Sequence, residues 1–146
     1  MINQQGFTLV ELMVVIAIIA MLSAIGLPGY QRYLDKAAMT DMLQMLTPYK
    51  SAVELCALQQ GEVKACHAGT SGIPESMTSR YVERVTVQDG VISLTGRQAL
   101  QGLALTLTPG RHGTGLRWSS ACQATENAGH LVGPCQGLFR MDHGRE

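Results

Sequence analysis

Apolar positions divide the chain before any motif is considered. From Phe7 to Leu27 every residue is apolar, small or hydroxylated except Glu11, and Leu12, Met13, Ile16, Ile18, Ile19, Met21 and Leu22 fall on all sides of a helix. A helix of that length rises to roughly 30 Å, close to the hydrocarbon thickness of a bilayer, so the pattern predicts one membrane crossing or an equally apolar surrounding. Three plainer readings compete. A cleaved secretory signal has an admissible small-x-small cut at Ala24-Ile25-Gly26, but Met1 to Gly6 carries no Lys or Arg and Glu11 interrupts what should be an uncharged core. A simple single-pass anchor leaves Glu11 unexplained. A buried core helix would need covering on every side, which a chain of 146 residues hardly provides.

Beyond Pro28 the period changes. Leu34, Ala38, Met42, Met45, Tyr49, Val53 and Cys56 follow steps of three and four, with Gln31, Arg32, Asp35, Asp41, Gln44, Lys50 and Glu54 on the other side. The pattern predicts one helix from about Thr8 to Leu58, amphipathic in its second half. Gly26, Pro28 and Pro48 are the expected kink sites, because proline removes an intrahelical hydrogen bond and clashes with the preceding turn. The alternative at Pro28 is that the first helix ends there and a linker begins.

Gln60 to Ser79 is rich in Gly, Ser, Thr and Pro without periodicity and is expected to be a loop. Tyr81 to Val87 alternates, Asp89-Gly90 is a two-residue hairpin signal, and Val91 to Thr95 continues the alternation. Leu103, Leu105 and Leu107 predict a third strand ending before Pro109-Gly110, and Leu116 to Ser119 a short fourth. The expected fold class is α+β: a long N-terminal helix whose second half packs on an antiparallel sheet of about four strands.

Charge narrows the partners only slightly. Lys and Arg total 11 and Asp and Glu total 11, so no overall field draws the chain to nucleic acid or an anionic membrane. Four cysteines, Cys56, Cys66, Cys122 and Cys135, all lie beyond the apolar segment, an even number that fits two disulfides in an oxidising compartment.

Glu11 is the chemical anomaly. An ionised carboxylate near the middle of a membrane costs about 2.5 to 3.5 kcal/mol on the lenient insertion scale, less toward a helix end. A free amine at Phe7, one turn away, or the same amine on a neighbouring subunit would compensate, and Gly6-Phe7 then reads as a cleavage junction.

Gly6-Phe7-Thr8-Leu9-Val10-Glu11-Leu12-Met13-Val14-Val15-Ile16 resembles the class III signal sequence of type IV pilins and related pseudopilins. The resemblance implies that a prepilin peptidase cuts after Gly6 and N-methylates Phe7, and that Glu11 matches the family's acidic position for subunit registration. The short leader, the N-terminal Phe, and the prolines at 28 and 48 look like the type IVa subclass, in which the segment around the first proline loses helicity inside the filament. Lys36-Ala37-Ala38, Ala52-Val53-Glu54-Leu55-Cys56-Ala57-Leu58, Gly72-Ile73-Pro74 and Ser93-Leu94-Thr95-Gly96 extend the likeness to enterobacterial major pilins. It implies a leader at 1–6, an apolar membrane or filament-core helix at 7–29 and a globular head at 30–146.

Spacing leaves the cysteine pairing open among three connectivities. The expected pairs are Cys56 with Cys66, tying the helix end to the loop, and Cys122 with Cys135, closing the Gly-rich 124–133 segment. The second resembles the disulfide-bounded C-terminal region of pilins.

The expected function is that of a structural subunit, a major pilin, with no enzymatic activity. It would polymerise with sister subunits into an extracellular filament for adhesion, motility or DNA uptake. Expected partners are the prepilin peptidase, the inner-membrane assembly machinery and minor pilins. The precursor would cross the inner membrane once, amino end cytoplasmic and head periplasmic. The leader lacks the basic residues of the family and Arg32 and Lys36 lie on the opposite flank, against the positive-inside rule, whereas the disulfides favour an external head. The alternatives are a pseudopilin of a type II secretion system and a membrane-tethered hydrolase, which would need a free thiol.

Neither a cofactor nor a metal is expected. No C-x-x-C spacing supports zinc, Cys66-His67 adjacency makes shared ligation awkward, and no phosphate-binding loop occurs. His67, His112, His130 and His143 are expected in loops or the tail, on the surface. Trp118 is expected in the core or a strand. Arg111, Arg117, Arg140 and Arg145 could form a DNA-binding patch, although neutral overall charge favours a scattered set.

Overall fold

The computed structural model describes residues 3–140, so His143 and Arg145 lie outside the described residues. Its elements follow the order of the sequence: α1 (Leu9–Gln60), β1 (Val82–Gln88), β2 (Val91–Gly96), β3 (Leu103–His112), β4 (Gly115–Ala124) and α2 (Val132–Leu138), with short 3-10 turns at Val63–Ala65, Gln98–Leu100 and Glu126–Leu131. The chain divides into two units, Met1–Leu34 and Asp35–Glu146.

In the first unit the described residues are helical from Leu9 onward, and the side chains of Phe7, Leu12, Ile16, Ile19, Leu22 and Ile25 are all exposed. Among the described residues nothing covers this apolar surface. Gly26 and Pro28 are both inside α1, which is continuous through them.

The second unit is the α+β head. Its part of α1 buries Ala38, Met39, Met42, Leu46, Tyr49, Val53 and Cys56. This stripe differs from the one expected at two places: Leu34 is exposed and Met45 only partly buried, while Met39 and Leu46 take the inner positions. Leu46 and Met39 are each one step along from the expected residues, so the stripe is rotated slightly around the helix rather than lost.

Four strands form one antiparallel sheet in the order β1-β2-β3-β4. Asp89 and Gly90 connect β1 to β2 with φ of 53° and 79°, the left-handed pair that a tight hairpin requires. Gly90 is also hemmed in, since a Cβ there would lie 2.9 Å from the Val63 Cβ. Its N–H donates to the Cys66 carbonyl at 3.0 Å, and Ala68 N–H donates to Val87 O at 3.1 Å, lacing the loop after the helix onto the sheet.

β3 and β4 run further than the sequence pattern predicts. β3 continues through Pro109-Gly110 to His112, and β4 extends to Ala124, with Pro109 opposite Trp118 and Leu103 opposite Ala124. Pairing with β2 stops at Ile92 and Leu107, so Pro109 has only one strand neighbour, the setting in which a sheet tolerates proline. His112 therefore ends a strand instead of sitting in a loop.

Inner-face Val85, Val87, Ile92, Leu94, Leu103, Leu105 and Leu107 join the α1 stripe in one core cluster. Trp118 belongs to it and donates its indole N–H to Glu54 Oε1 at 2.8 Å. The Gly-rich segment after Cys122 is more ordered than its composition predicts. It winds into a 3-10 turn and then α2, and Ala128, Leu131, Cys135 and Phe139 enter the core.

Polar pins fasten the helix to the rest of the head. Asp41 Oδ2 accepts from Ser79 Oγ and, at 3.3 Å, from Tyr81 N–H, and Arg97 donates to the Ser79 carbonyl. Tyr49 donates its hydroxyl to Glu75 O and accepts from Met77 N–H at 3.0 Å. Burial pushes the Tyr49 hydroxyl pKa above its usual value, with the Met77 hydrogen bond acting in the opposite direction.

Candidate functional site

The N-terminal junction is built from a few consecutive residues. Gly6 and Phe7 precede the helix in exposed chain without regular secondary structure, and a Cβ at Gly6 would meet nothing within 4 Å. Leu12 N–H donates to Thr8 O at 3.2 Å, the first rung of α1. Thr8 Oγ1 accepts from Glu11 N–H at 3.2 Å, and Glu11 Oε2 in turn accepts from Thr8 N–H at 3.3 Å. Two donors that a helix start leaves unsatisfied are thereby closed reciprocally, a capping box. The carboxylate also lies at the positive end of the helix dipole.

The role of Thr8 is a finding of the structure, and its signal is legible in the spacing Thr8-x-x-Glu11 just ahead of an apolar run. In the uncut chain Phe7 has a peptide N–H, and Glu11 turns to Thr8. The structure thus brings Glu11 together with a neutral partner one turn back.

Downstream of this cap, α1 is long and apolar enough to cross a membrane by length and composition. Its exposed Leu, Ile, Val and Met side chains each release about 1.5 to 3 kcal/mol when fully removed from water, so the unit is incomplete without lipid or other helices around it. Pro28 lacks the N–H that would reach back one turn to Ala24. Pro48, in the head unit, likewise leaves out a rung, and the Thr47 hydroxyl next to it donates to Leu43 O at 3.0 Å.

In the head, Cys56 and Cys66 have an S–S distance of 2.06 Å and Cys122 and Cys135 one of 1.98 Å. The first pair joins the last turns of α1 to the loop, and the second joins β4 to α2. His67 and His130 are exposed and lie 4.0 Å from Asp89 and Asp35 respectively.

An apolar helix with a capped acidic residue at its start, and a disulfide-bearing four-stranded head, together define an α+β protein whose N-terminal helix needs an apolar surrounding. The family model for the prokaryotic N-terminal methylation motif matches residues 1–27, and the model for pilin, the bacterial filament protein, matches residues 36–132. The chain belongs to the type IV pilin family.

Among its relatives, prepilin peptidase-dependent protein D of Escherichia coli (strain K12) is 51% identical over 142 residues, covering 96% of this chain and 97% of that protein. The type IV major pilin protein PilE1 of Neisseria gonorrhoeae is 34% identical over 122 residues, covering 79% of this chain and 68% of that one. The solution structure of the major type IV pilin PpdD from enterohemorrhagic E. coli matches with a TM-score of 0.65 at 42% identity, covering 78% of this chain and 90% of that one. Membership implies polymerisation into filaments, and the methylation motif implies processing by a prepilin peptidase. Family and fold are those of a structural protein.

Proposed function

We propose that the chain is a major pilin, the principal subunit of a type IV pilus. The observation that supports it most is the wholly exposed apolar helix with Glu11 in its first turn, a surface that must change its surroundings from lipid to sister helices. In this reading a prepilin peptidase cuts between Gly6 and Phe7 and methylates the new Phe7 amine. The amine then competes with the Thr8 cap for Glu11, either within the subunit or from the next one, and sets the axial register. The precursor spans the inner membrane with its head in the periplasm, where Cys56–Cys66 and Cys122–Cys135 oxidise. The missing rung at Pro28, beside Gly26, makes that stretch the place where α1 loosens on assembly, and Pro48 is a second place to bend. Inner-membrane assembly proteins and minor pilins supply the energy and the initiation that a chain without a nucleotide site lacks.

The test is a Glu11→Ala variant expressed in place of the native chain. Mass spectrometry should find it cut after Gly6 and methylated, while electron microscopy finds no surface filaments. Filaments in normal number would sink the registration role, and uncut precursor would place Glu11 in processing instead. Deleting the chain should abolish the filaments; filaments that persist, with loss of protein secretion, would make it a pseudopilin.

A further inference from the structure

Two charged residues bracket the apolar part of α1. Between Glu11 and Arg32 lie 20 residues without a charge. At about 1.5 Å per residue they set the two charges roughly 30 Å apart along the axis, the thickness of a bilayer's hydrocarbon core. The far end of this span has a composition of its own. Tyr30 and Tyr33 flank Arg32 and, three residues apart on α1, stand next to each other on one side of the helix. They are 61% and 69% exposed, and Arg32 between them is exposed as well. None of the three belongs to the core cluster, so packing of the head does not account for two large rings left in the open.

We propose that Tyr30, Arg32 and Tyr33 form a phospholipid-binding belt that fixes the depth of the subunit in the membrane, with the Arg32 guanidinium on the phosphate diester of a headgroup. The inference rests on the membrane crossing proposed above, and places the belt in the leaflet away from the amino end. Tyrosine suits that level because its ring is apolar and its hydroxyl polar. Arginine lays an apolar stem along the acyl boundary and offers phosphate oxygens a planar fork of donors. Arg32 stands on the flank that the positive-inside rule leaves poor in basic residues, and a phosphate contact made there gives that departure a use. A sister subunit explains the spacing less well, because 30 Å is a dimension of the bilayer and not one that helix packing demands. Assembly would then have to break the phosphate contact and draw both rings out of the interface.

The full chain is reconstituted in bilayers of phosphatidylethanolamine and phosphatidylglycerol, and depth is read from the quenching of tryptophan emission by lipids brominated near the headgroup or at the chain ends. Tyr30→Trp reports the belt and Ile19→Trp the middle of the span, each after subtraction of the Trp118 emission of the native chain. All the substituted positions are exposed, so the head keeps its fold. Tyr30→Trp should be quenched at least about twofold more by the shallow bromines, and Ile19→Trp at least about twofold more by the deep ones. Adding Arg32→Gln and Tyr33→Ala to Tyr30→Trp should let that flank sink and reduce its shallow-to-deep ratio by about half or more. Solid-state NMR of the arginine-labelled chain should show guanidinium carbon dephased by lipid phosphorus, and Arg32→Gln should remove most of that signal. Ile19→Trp without a deep preference would overturn the crossing on which the inference rests. With that preference intact, a Tyr30→Trp ratio unmoved by the two substitutions, or dephasing undiminished by Arg32→Gln, overturns the belt. Native bilayers without dephasing, together with loss of filaments in the same variants, overturn it in favour of a contact with a sister subunit.

Discussion

The two parts of α1 are made of similar residues and behave as different materials. Between Leu9 and Leu34 no residue is buried, and Leu, Ile, Val and Met point outward on every side. Between Asp35 and Gln60 the same residue types form a single stripe, with Met39, Met42, Leu46 and Val53 wholly removed from solvent. The difference lies in arrangement. A stripe at three- and four-residue steps finds its cover within the chain, whereas an apolar surface all round needs cover from outside. The head is therefore a folding problem and the first part of the helix an assembly problem, solved by whatever surrounds it.

That contrast is broken most directly by paired truncations. Leu105→Ala, which empties a fully buried position in β3, should cost the head about 2 to 5 kcal/mol, seen as an earlier urea transition of Trp118 emission in detergent. Leu22→Ala should leave that transition in place, since its side chain is exposed in the first unit. A comparable loss from Leu22→Ala would show that the two parts stabilise each other after all.

Replacing Cys122 and Cys135 together by Ser releases a loop with a sequence separation of 13, which the chain-entropy model values at about 3 kcal/mol. The same urea transition should fall accordingly, and reductant should have the same effect on the native chain.

Tyr49→Phe removes a donor to Glu75 O and an acceptor for Met77 N–H, at about 1 to 3 kcal/mol. It also carries a pH signature. Because the folded pKa is raised above the unfolded one, the stabilisation is complete below about pH 10 and is lost as pH rises through the folded value. Native protein should lose stability at alkaline pH more steeply than Tyr49→Phe; equal slopes would show that the hydroxyl is not held as described. The smallest effect belongs to Thr8→Val, which should loosen the first turn of α1 by about 1 kcal/mol, read as faster amide exchange at Glu11 and Leu12 with the head unaltered.

Much of this was legible in the residues themselves. The long helix, the Asp89-Gly90 hairpin and the alternation of Leu103, Leu105 and Leu107 each carry their own local period, and the structure has them all. The misjudged parts are those where local chemistry and tertiary context disagree. Pro109-Gly110 has the composition of a turn, but β4 pairs across it because only one neighbour is present. The 124–133 segment has too many small residues to show a helical face, whereas Leu131 and Phe139 are buried where the Cys122–Cys135 disulfide ties α2 to β4. At the N-terminal junction the acidic residue stands out as a lone charge in an apolar run, whereas its Thr8 partner becomes visible only when capping geometry is considered.

The disulfides have a mechanical consequence. A subunit in a filament under tension is a chain that could be drawn out, and each residue released adds about 3.3 to 3.6 Å of contour. Cross-links with sequence separations of 10 and 13 withhold those stretches from extension, roughly 35 Å and 45 Å at that length per residue. One shackle guards the exit from α1 and the other the last strand. A head pulled beyond its yield point would lengthen through its sheet and the remaining loop residues, and would shorten again with both ends of its fold still fastened.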